Sequence, residues 1–162
     1  MIGQNRFISQ VKELIDNNSF PLFSIIVGKA GIGKKTACKE VSKILKCECI
    51  VWGNKIDEIR ELKQLMENQT EEIVYCIPDY EDMSIGARNS ILKMCEEPPQ
   101  KAHIILTSCS KDIIIPTILS RGVVFELDGY TEEELQEIEA IEAAENNWYD
   151  EEIDYDEYES YY

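Results

Sequence analysis

Three glycines and three lysines between residues 28 and 36 carry the clearest chemistry in this sequence. The segment reads GKAGIGKKT and has the spacing G-x-x-x-x-G-K, which is typical of loops that cradle phosphate. Glycines let backbone N–H groups turn towards a phosphate, the following helix adds its positive end, and a lysine adds a full charge. The sequence therefore predicts a phosphate-binding loop made of Gly28, Lys29, Ala30, Gly31, Ile32, Gly33, Lys34, Lys35 and Thr36. An ordinary glycine-rich turn is the alternative, which the apolar strand pattern before the loop and the helical pattern after it disfavour.

The residue after Lys34 departs from the phosphate-loop motif. A serine or threonine hydroxyl that binds Mg²⁺ is expected there, and this chain has Lys35. Thr36 does not obviously replace it, because one step along a helix rotates a side chain by roughly 100°. The metal-binding half of the site is therefore in doubt.

A second position that should bind Mg²⁺ is also altered. Nucleotide-hydrolysing proteins with this loop hold the metal through an aspartate at the end of a later strand, and many follow it with a catalytic glutamate. The corresponding segment here, IVYCIPDYEDMS, has Pro78 and Asp79 at those positions. Proline cannot ligate a metal, and Asp79 is only a weak candidate for the catalytic acid. We predict no metal site.

The elements that must position the loop follow from hydrophobic periodicity. Apolar residues at helical spacing predict helices over residues 4–17, 34–45, 56–66 and 84–95, the last capped by Ser84. Short apolar runs predict five strands, at residues 23–27, 49–52, 73–77, 103–106 and 123–125. This alternation predicts an α/β fold: a five-stranded, mostly parallel sheet with helices on both faces and ligands at the carboxyl ends of the strands. His103 is predicted to be packed or hydrogen-bonded rather than catalytic.

Composition divides the chain at about residue 128. The net charge of −16 is uneven: residues 1–128 carry 16 basic and 18 acidic residues, whereas residues 129–162 carry 14 acidic and no basic residues. A capping box at Thr131 and Glu134 predicts an acidic helix over 129–145. Residues 146–162 are acidic and tyrosine-rich, and we expect a disordered tail, with an interaction tail as the alternative. Six dispersed cysteines and the lack of a leader or long apolar run predict a reduced, cytoplasmic protein without zinc or membrane contact.

Several further motifs resemble one family. The run GARNSILKMCEEPP at residues 86–99 is similar to the helix after the acidic strand in bacterial clamp loaders, the AAA+ subunits of DNA polymerase III. The order and spacing of the remaining motifs agree with it: IGQ at residue 2, the phosphate loop, IDEIREL at 56, HIILTS at 103 and IIPTILSRG at 114. The resemblance covers about residues 2–128, and the delta prime subunit fits best because its nucleotide site is often degraded.

The resemblance implies a specific role. In the family, a Ser-Arg pair projects an arginine towards ATP bound by the neighbouring subunit, and Ser120 and Arg121 match it, although Gly122 replaces the family's cysteine. We therefore expect a stator that supplies Arg121 in trans and has no stand-alone ATPase activity. The implied partners are gamma- or tau-like and delta-like subunits and, indirectly, the sliding clamp, with DNA contacted only through the complex. ATP or ADP would bind without Mg²⁺ or not at all.

Other features depart from the family and leave alternatives open. The cysteine-rich zinc module that often follows the phosphate-loop helix is missing, and the chain ends where the helical lid and collar domains would begin. We expect a truncated piece or a minimal, phage-encoded variant. One alternative is an active ATPase in which Thr36 and Asp79 shift to bind Mg²⁺. Another is a non-enzymatic modulator that binds a host clamp loader and blocks DNA with its acidic tail.

Overall fold

The computed structural model describes residue 1 and residues 3–145, and the predicted tail at 146–162 lies outside the described residues. Strands and helices alternate along the first 128 residues. The strands are β1 (Phe23–Val27), β2 (Glu48–Val51), β3 (Ile73–Ile77), β4 (Ala102–Ser108) and β5 (Val123–Glu126). The helices are α1 (Asn5–Asp16), α2 (Lys34–Leu45), α3 (Ile56–Glu67), α4 (Ile85–Glu96) and the single-turn α5 (Pro116–Leu119).

The five strands form one parallel sheet in the order β2-β3-β4-β1-β5. β1 therefore lies between β4 and β5, with Ser24 opposite Ile105 and Val123. All residues of β1 and β4 are buried, because helices cover the sheet. The predicted α/β class, strand number and parallel direction are confirmed.

The apolar core explains why the helices form where they do. α3 buries Ile59, Leu62 and Met66, which recur at helical spacing and face the sheet. α4 buries Ala87, Ile91, Met94 and Cys95 in the same core cluster. β1 contributes Ile25, which is fully buried. The amphipathic patterns of α3 and α4 thus correspond to one apolar core cluster, whereas α1 and α2 bury residues outside it.

The connection from β4 to β5 is the part of this unit that periodicity did not predict. Instead of a full helix it contains a 3₁₀ turn (Lys111–Ile113) and the one-turn α5, which begins at Pro116. A second 3₁₀ turn, Tyr80–Asp82, follows β3. Elements of three or four residues span no more than about one helical turn, so no repeating amphipathic pattern marks them.

The Gln4 side chain links the beginning of this unit to its end. Its side chain is fully buried, its Nε2 donates to the backbone oxygen of Asp128 at 2.9 Å, and its Oε1 accepts from the Asp128 N–H at 3.0 Å. Both polar atoms of a buried amide are thereby satisfied. The segment before α1 is thus tied to the end of β5.

A separate compact unit begins at Gly129. Residues 132–145 are helical, and the helix starts with the predicted capping box. The Glu134 N–H donates to Thr131 Oγ1 at 3.3 Å, and the Thr131 N–H donates to Glu134 Oε1 at 3.2 Å. Within the described ranges, residue 1 and residues 3–145, no helix is long and apolar enough to cross a bilayer.

The cap of α4 gives a first testable prediction. Ser84 Oγ accepts a hydrogen bond from the Ala87 N–H at 3.1 Å, as predicted for the N-cap. We expect Ser84→Ala to lower the free energy of unfolding by about 1 kcal/mol, measured by urea denaturation, because a backbone donor loses its partner.

The matched control for this prediction is Ser90→Ala in the same helix. Ser90 Oγ donates to the Gly86 carbonyl, which already lies within the helix, so its removal should change stability by less than about 0.5 kcal/mol. Equal effects of the two substitutions would contradict the capping role.

Candidate functional site

The glycine-rich loop lies at the carboxyl end of β1 and leads directly into α2. Gly31 and Gly33 have φ of 80° and 100°, in the left-handed region that residues with a Cβ avoid. Gly28 is constrained differently, since a Cβ there would lie 2.7 Å from Ile32 Cγ2. The backbone conformation therefore favours glycine at two of the three motif positions, and the Ile32 side chain leaves no space for a Cβ at the third.

Lys34 lies inside this loop. Its ammonium donates to the carbonyl of Gly28 at 2.6 Å and to the carbonyl of Lys29 at 3.2 Å. The side chain is 9% exposed, which is rare for a lysine unless its charge is satisfied. The two loop carbonyls accept hydrogen bonds from the ammonium, which places its positive charge at the centre of the loop.

The loop forms one wall of a cavity of about 330 Å³. From the predicted site it gathers Ala30, Gly31, Gly33, Lys34, Lys35, Thr36 and Asp79. Gly28, Lys29 and Ile32 belong to the loop without lining the cavity. Two more residues line it that the sequence analysis missed, Glu81 and Thr107. Glu81 lies in a 3₁₀ turn and Thr107 in a buried strand, and neither position carries a motif of its own.

Asp79 is held in an uncommon backbone conformation at the end of β3. Its φ is 58° and ψ 62°, a left-handed geometry that aspartate tolerates better than most residues. Its N–H donates to Thr107 Oγ1 at 3.0 Å, and the Asn54 amide donates to the carbonyls of Pro78 and Asp79 at 3.0 and 3.3 Å. The strand end that borders the cavity is thus fixed from two sides.

Glu81 is positioned by hydrogen bonds to its carboxylate and to its backbone carbonyl. Its carboxylate accepts the Cys109 N–H at 3.2 Å. Arg88 Nη2 donates to the carbonyls of Tyr80 and Glu81, both at 3.1 Å, and the guanidinium lies 4.5 Å from the centre of the Tyr80 ring. A charged donor and a cation–π contact therefore brace the turn that carries Glu81.

The two motif positions from which phosphate loops normally bind Mg²⁺ carry no oxygen ligand in this chain, although oxygen atoms of other side chains line the cavity, namely those of Thr36, Asp79, Glu81 and Thr107. Mg²⁺ takes oxygen ligands in near-octahedral geometry, yet the two ligand positions of the motif hold the Lys35 ammonium and the Pro78 ring. In the part of the chain that the structure describes, no three His, Cys, Asp or Glu residues cluster in a way that would hold a metal. The expectation of a metal-free nucleotide site stays a prediction.

Two buried thiols belong to α2 and β3, Cys38 to the helix and Cys76 to the strand. Cys38 and Cys76 share a hydrogen bond, which together with burial raises the pKa of Cys38 well above its usual value. The same hydrogen bond, with help from the positive charge of Lys35, lowers the pKa of Cys76.

Arg121 lies far from this cavity. It comes just before β5, whose first residue Val123 pairs with Ser24 near the start of β1, whereas the loop follows the last residue of β1. Along the strand direction, Arg121 and the loop are therefore separated by the length of five or six strand residues, which is roughly 15–20 Å. Arg121 and the phosphate loop therefore lie at opposite edges of the same parallel sheet.

The Arg121 side chain is accessible and loosely held. It is 43% exposed, and its Nη2 lies 3.8 Å from Glu96 Oε1. An ion pair this exposed contributes at most about 1 kcal/mol. Ser120 beside it is also exposed and donates to the Thr117 carbonyl at 3.0 Å.

His103 is a structural residue, as predicted. It is 5% exposed, its Nε2 lies 2.9 Å from Glu72 Oε1, and its Nδ1 lies 3.2 Å from the Pro21 carbonyl. Both ring nitrogens are engaged at the amino end of β4, away from the cavity. The histidine therefore packs and takes no part in the site.

Known proteins resemble the chain in sequence over most of its length. The sequence model of a family described as "DNA polymerase III, delta subunit" matches residues 52–131. DNA polymerase III subunit gamma of Buchnera aphidicola subsp. Acyrthosiphon pisum is 23% identical over 83% of this chain and 46% of its own length. Subunit tau of Bacillus subtilis is 25% identical over 81% of this chain and 29% of its own length. Subunit delta' of Buchnera aphidicola subsp. Baizongia pistaciae is 34% identical over 48% of this chain and 24% of its own length. The chain thus spans less than half the length of these curated relatives.

Solved structures support the fold. A gamma subunit-related protein of DNA polymerase III from Thermotoga maritima superposes with a TM-score of 0.63 at 23% identity, over 77% of this chain and 47% of its own. The RuvB Holliday junction branch migration motor of the same organism gives a TM-score of 0.68 at 18% identity, over 85% of this chain and 49% of its own. These likenesses establish the AAA+ P-loop fold and nothing finer.

The glycine after Arg121 gives a prediction about the local fold. A Cβ at Gly122 would lie 2.5 Å from Phe23 Cδ1 and 3.0 Å from the Phe23 carbonyl oxygen, so the side chain of a cysteine does not fit. We expect Gly122→Cys, which would restore the family's cysteine, to lower the free energy of unfolding by about 1–3 kcal/mol through overpacking. Urea denaturation measures it.

Gly129→Ala is the control for this substitution. A Cβ at Gly129 meets nothing within 4 Å, so that variant should be as stable as the unaltered chain or slightly more so. An unchanged stability of Gly122→Cys would show that Phe23 moves aside without cost.

Proposed function

Because the chain is homologous to the clamp-loader subunits of DNA polymerase III, we propose that it acts as a subunit of such a complex in the manner of delta prime. In this proposal its own nucleotide site is degenerate, and its Arg121 stabilises ATP hydrolysis on a neighbouring subunit. The neighbours are gamma- or tau-like and delta-like subunits, which load a sliding clamp. The chain meets DNA only through that complex, which works in the cytoplasm.

The observation that carries this proposal is the position of Arg121 relative to the phosphate loop. The two lie at opposite edges of the sheet, so the arginine cannot reach a nucleotide bound in its own chain. It is exposed at that edge, and among the described residues its side chain pairs only with Glu96, in a weak ion pair. A side chain so placed is suited to reach a γ-phosphate on a second subunit.

The chemistry of the proposed contact explains the choice of residue. A guanidinium offers several N–H donors in a planar fork and stays charged at any physiological pH, so it can bind two oxygens of a phosphoryl group at once. Charge that develops on those oxygens in the transition state is then neutralised by a donor already in place. Releasing Arg121 from Glu96 costs little, because the pair is solvent-exposed.

The loss of both metal ligand positions supports a passive nucleotide site. Lys35 and Pro78 replace groups that act together on one Mg²⁺ ion, and losing either would already weaken hydrolysis. The retained loop and buried Lys34 are compatible with binding phosphate without hydrolysing it.

An active ATPase is the second candidate. Thr36, Asp79 and Glu81 line the same cavity, so a hydroxyl and two carboxylates are close to the position of a bound phosphate chain. In that case Asp79 or Glu81 would serve as the catalytic acid. This candidate predicts Mg²⁺-dependent turnover by the isolated chain.

Removing the guanidinium tests the first candidate. In a clamp loader reconstituted with this chain, we expect Arg121→Ala to lower ATP turnover at the adjoining site by roughly 10³-fold, and Arg121→Lys to rescue little of it, because the fork is lost. Single-turnover ATP hydrolysis measures the effect. Lys111→Ala removes another exposed, ion-paired cation and should leave turnover unchanged. Unaltered hydrolysis in Arg121→Ala would rule out the role in trans.

Turnover by the isolated chain separates the two candidates. We expect no ATP hydrolysis above the rate of a Lys34→Ala control, with or without Mg²⁺, because Lys35 and Pro78 replace the two metal ligands of the motif. A phosphate-release assay measures it. Turnover that requires Mg²⁺ and disappears in Lys34→Ala would favour the active ATPase instead.

A further inference from the structure

The cavity contains an unusual balance of charge. A phosphate loop of the ordinary kind brings one lysine and a divalent ion to the ligand's phosphates. Here Lys34 and Lys35 both line the cavity, together with the carboxylates of Asp79 and Glu81. The protein thus supplies a second positive charge from its own chain at the residue that would otherwise bind the metal.

The two lysines differ in how they are held. Lys34 is buried and bonded to two loop carbonyls. Lys35 is exposed, and within residues 3–145 its ammonium makes no hydrogen bond and no ion pair shorter than 4.0 Å. Its side chain nevertheless lines the cavity, together with the loop and with Asp79 at the end of β3. Lys35 is therefore free to bind a ligand in this cavity.

From this placement we infer that Lys35 acts as a built-in counter-ion: the cavity binds a metal-free nucleoside diphosphate or triphosphate, and Mg²⁺ weakens the binding. The inference rests on the proposed function insofar as the loop is taken as a phosphate cradle without a metal. A phosphate chain already complexed by Mg²⁺ carries less negative charge for Lys35 to attract. The ion itself would also lie close to the Lys35 ammonium, with neither motif ligand present.

This arrangement determines whether Mg²⁺ strengthens or weakens nucleotide binding. In a site with metal ligands, chelating Mg²⁺ lowers nucleotide affinity. With Lys35 in the metal's place, chelation leaves the phosphates fully charged and strengthens their attraction to both lysines. The ligand class is a free polyphosphate chain, which the two cations and the positive end of α2 recognise together.

The experiment is a calorimetric titration of the full chain with ADP, once in EDTA and once in excess Mg²⁺. We expect ADP to bind about fivefold more tightly in EDTA, since about one unit of ligand charge is no longer masked. Lys35→Thr should weaken binding in EDTA by about five- to tenfold and reverse the metal effect, so that Mg²⁺ no longer weakens it.

Lys39→Thr is the matched control. Lys39 lies one turn further along α2, is exposed, and does not line the cavity, so the same loss of charge and of helix propensity should change ADP affinity by less than about twofold. Thermal unfolding of each variant checks that both remain folded.

Three outcomes would overturn the inference: tighter binding of ADP in Mg²⁺ by the unaltered chain, equal losses in Lys35→Thr and Lys39→Thr, or no binding of ADP in EDTA. None of them bears on the Arg121 experiment, which follows hydrolysis on a neighbouring subunit. A failure of that experiment would likewise leave the Lys35 result standing.

Discussion

The pairing of β1 with β4 on one side and β5 on the other is the constraint on which the rest of the structure depends. β1 is fully buried, so its direction and register cannot change without exposing apolar residues on both faces of the sheet. Its carboxyl end fixes the phosphate loop, and the start of its neighbour β5 fixes Arg121. One pair of parallel strands therefore sets the separation between the two groups with functional chemistry.

The loop and the cavity next to it are positioned by contacts of different strength. Backbone geometry at Gly31 and Gly33 and the buried ammonium of Lys34 make the loop rigid. The opposite wall depends on side-chain contacts, in which Thr107 and Asn54 hold the end of β3 and Arg88 holds the turn after it. The Lys35 ammonium on this rim makes no such contact with any described residue, so the fold does not fix where it lies.

Much of this arrangement could be predicted from the sequence, since it rests on long periodic elements and on a motif with a fixed spacing. The bounds of β1, α2 and β3 agree with the predictions to the residue, because apolar runs and helical spacing end abruptly at Gly28, Lys46 and Pro78. The positions of Glu81 and Thr107 could not be predicted. They reach the cavity through a 3₁₀ turn and through the order of strands in the sheet, and both are properties of the tertiary structure rather than of local sequence. The fit of Gly122 against Phe23 likewise needed the pairing of β1 with β5.

The clasp between Gln4 and Asp128 has a topological consequence. Two residues 124 positions apart are hydrogen-bonded at the carboxyl edge of the sheet. The backbone therefore enters and leaves this unit at one place, beside the phosphate loop.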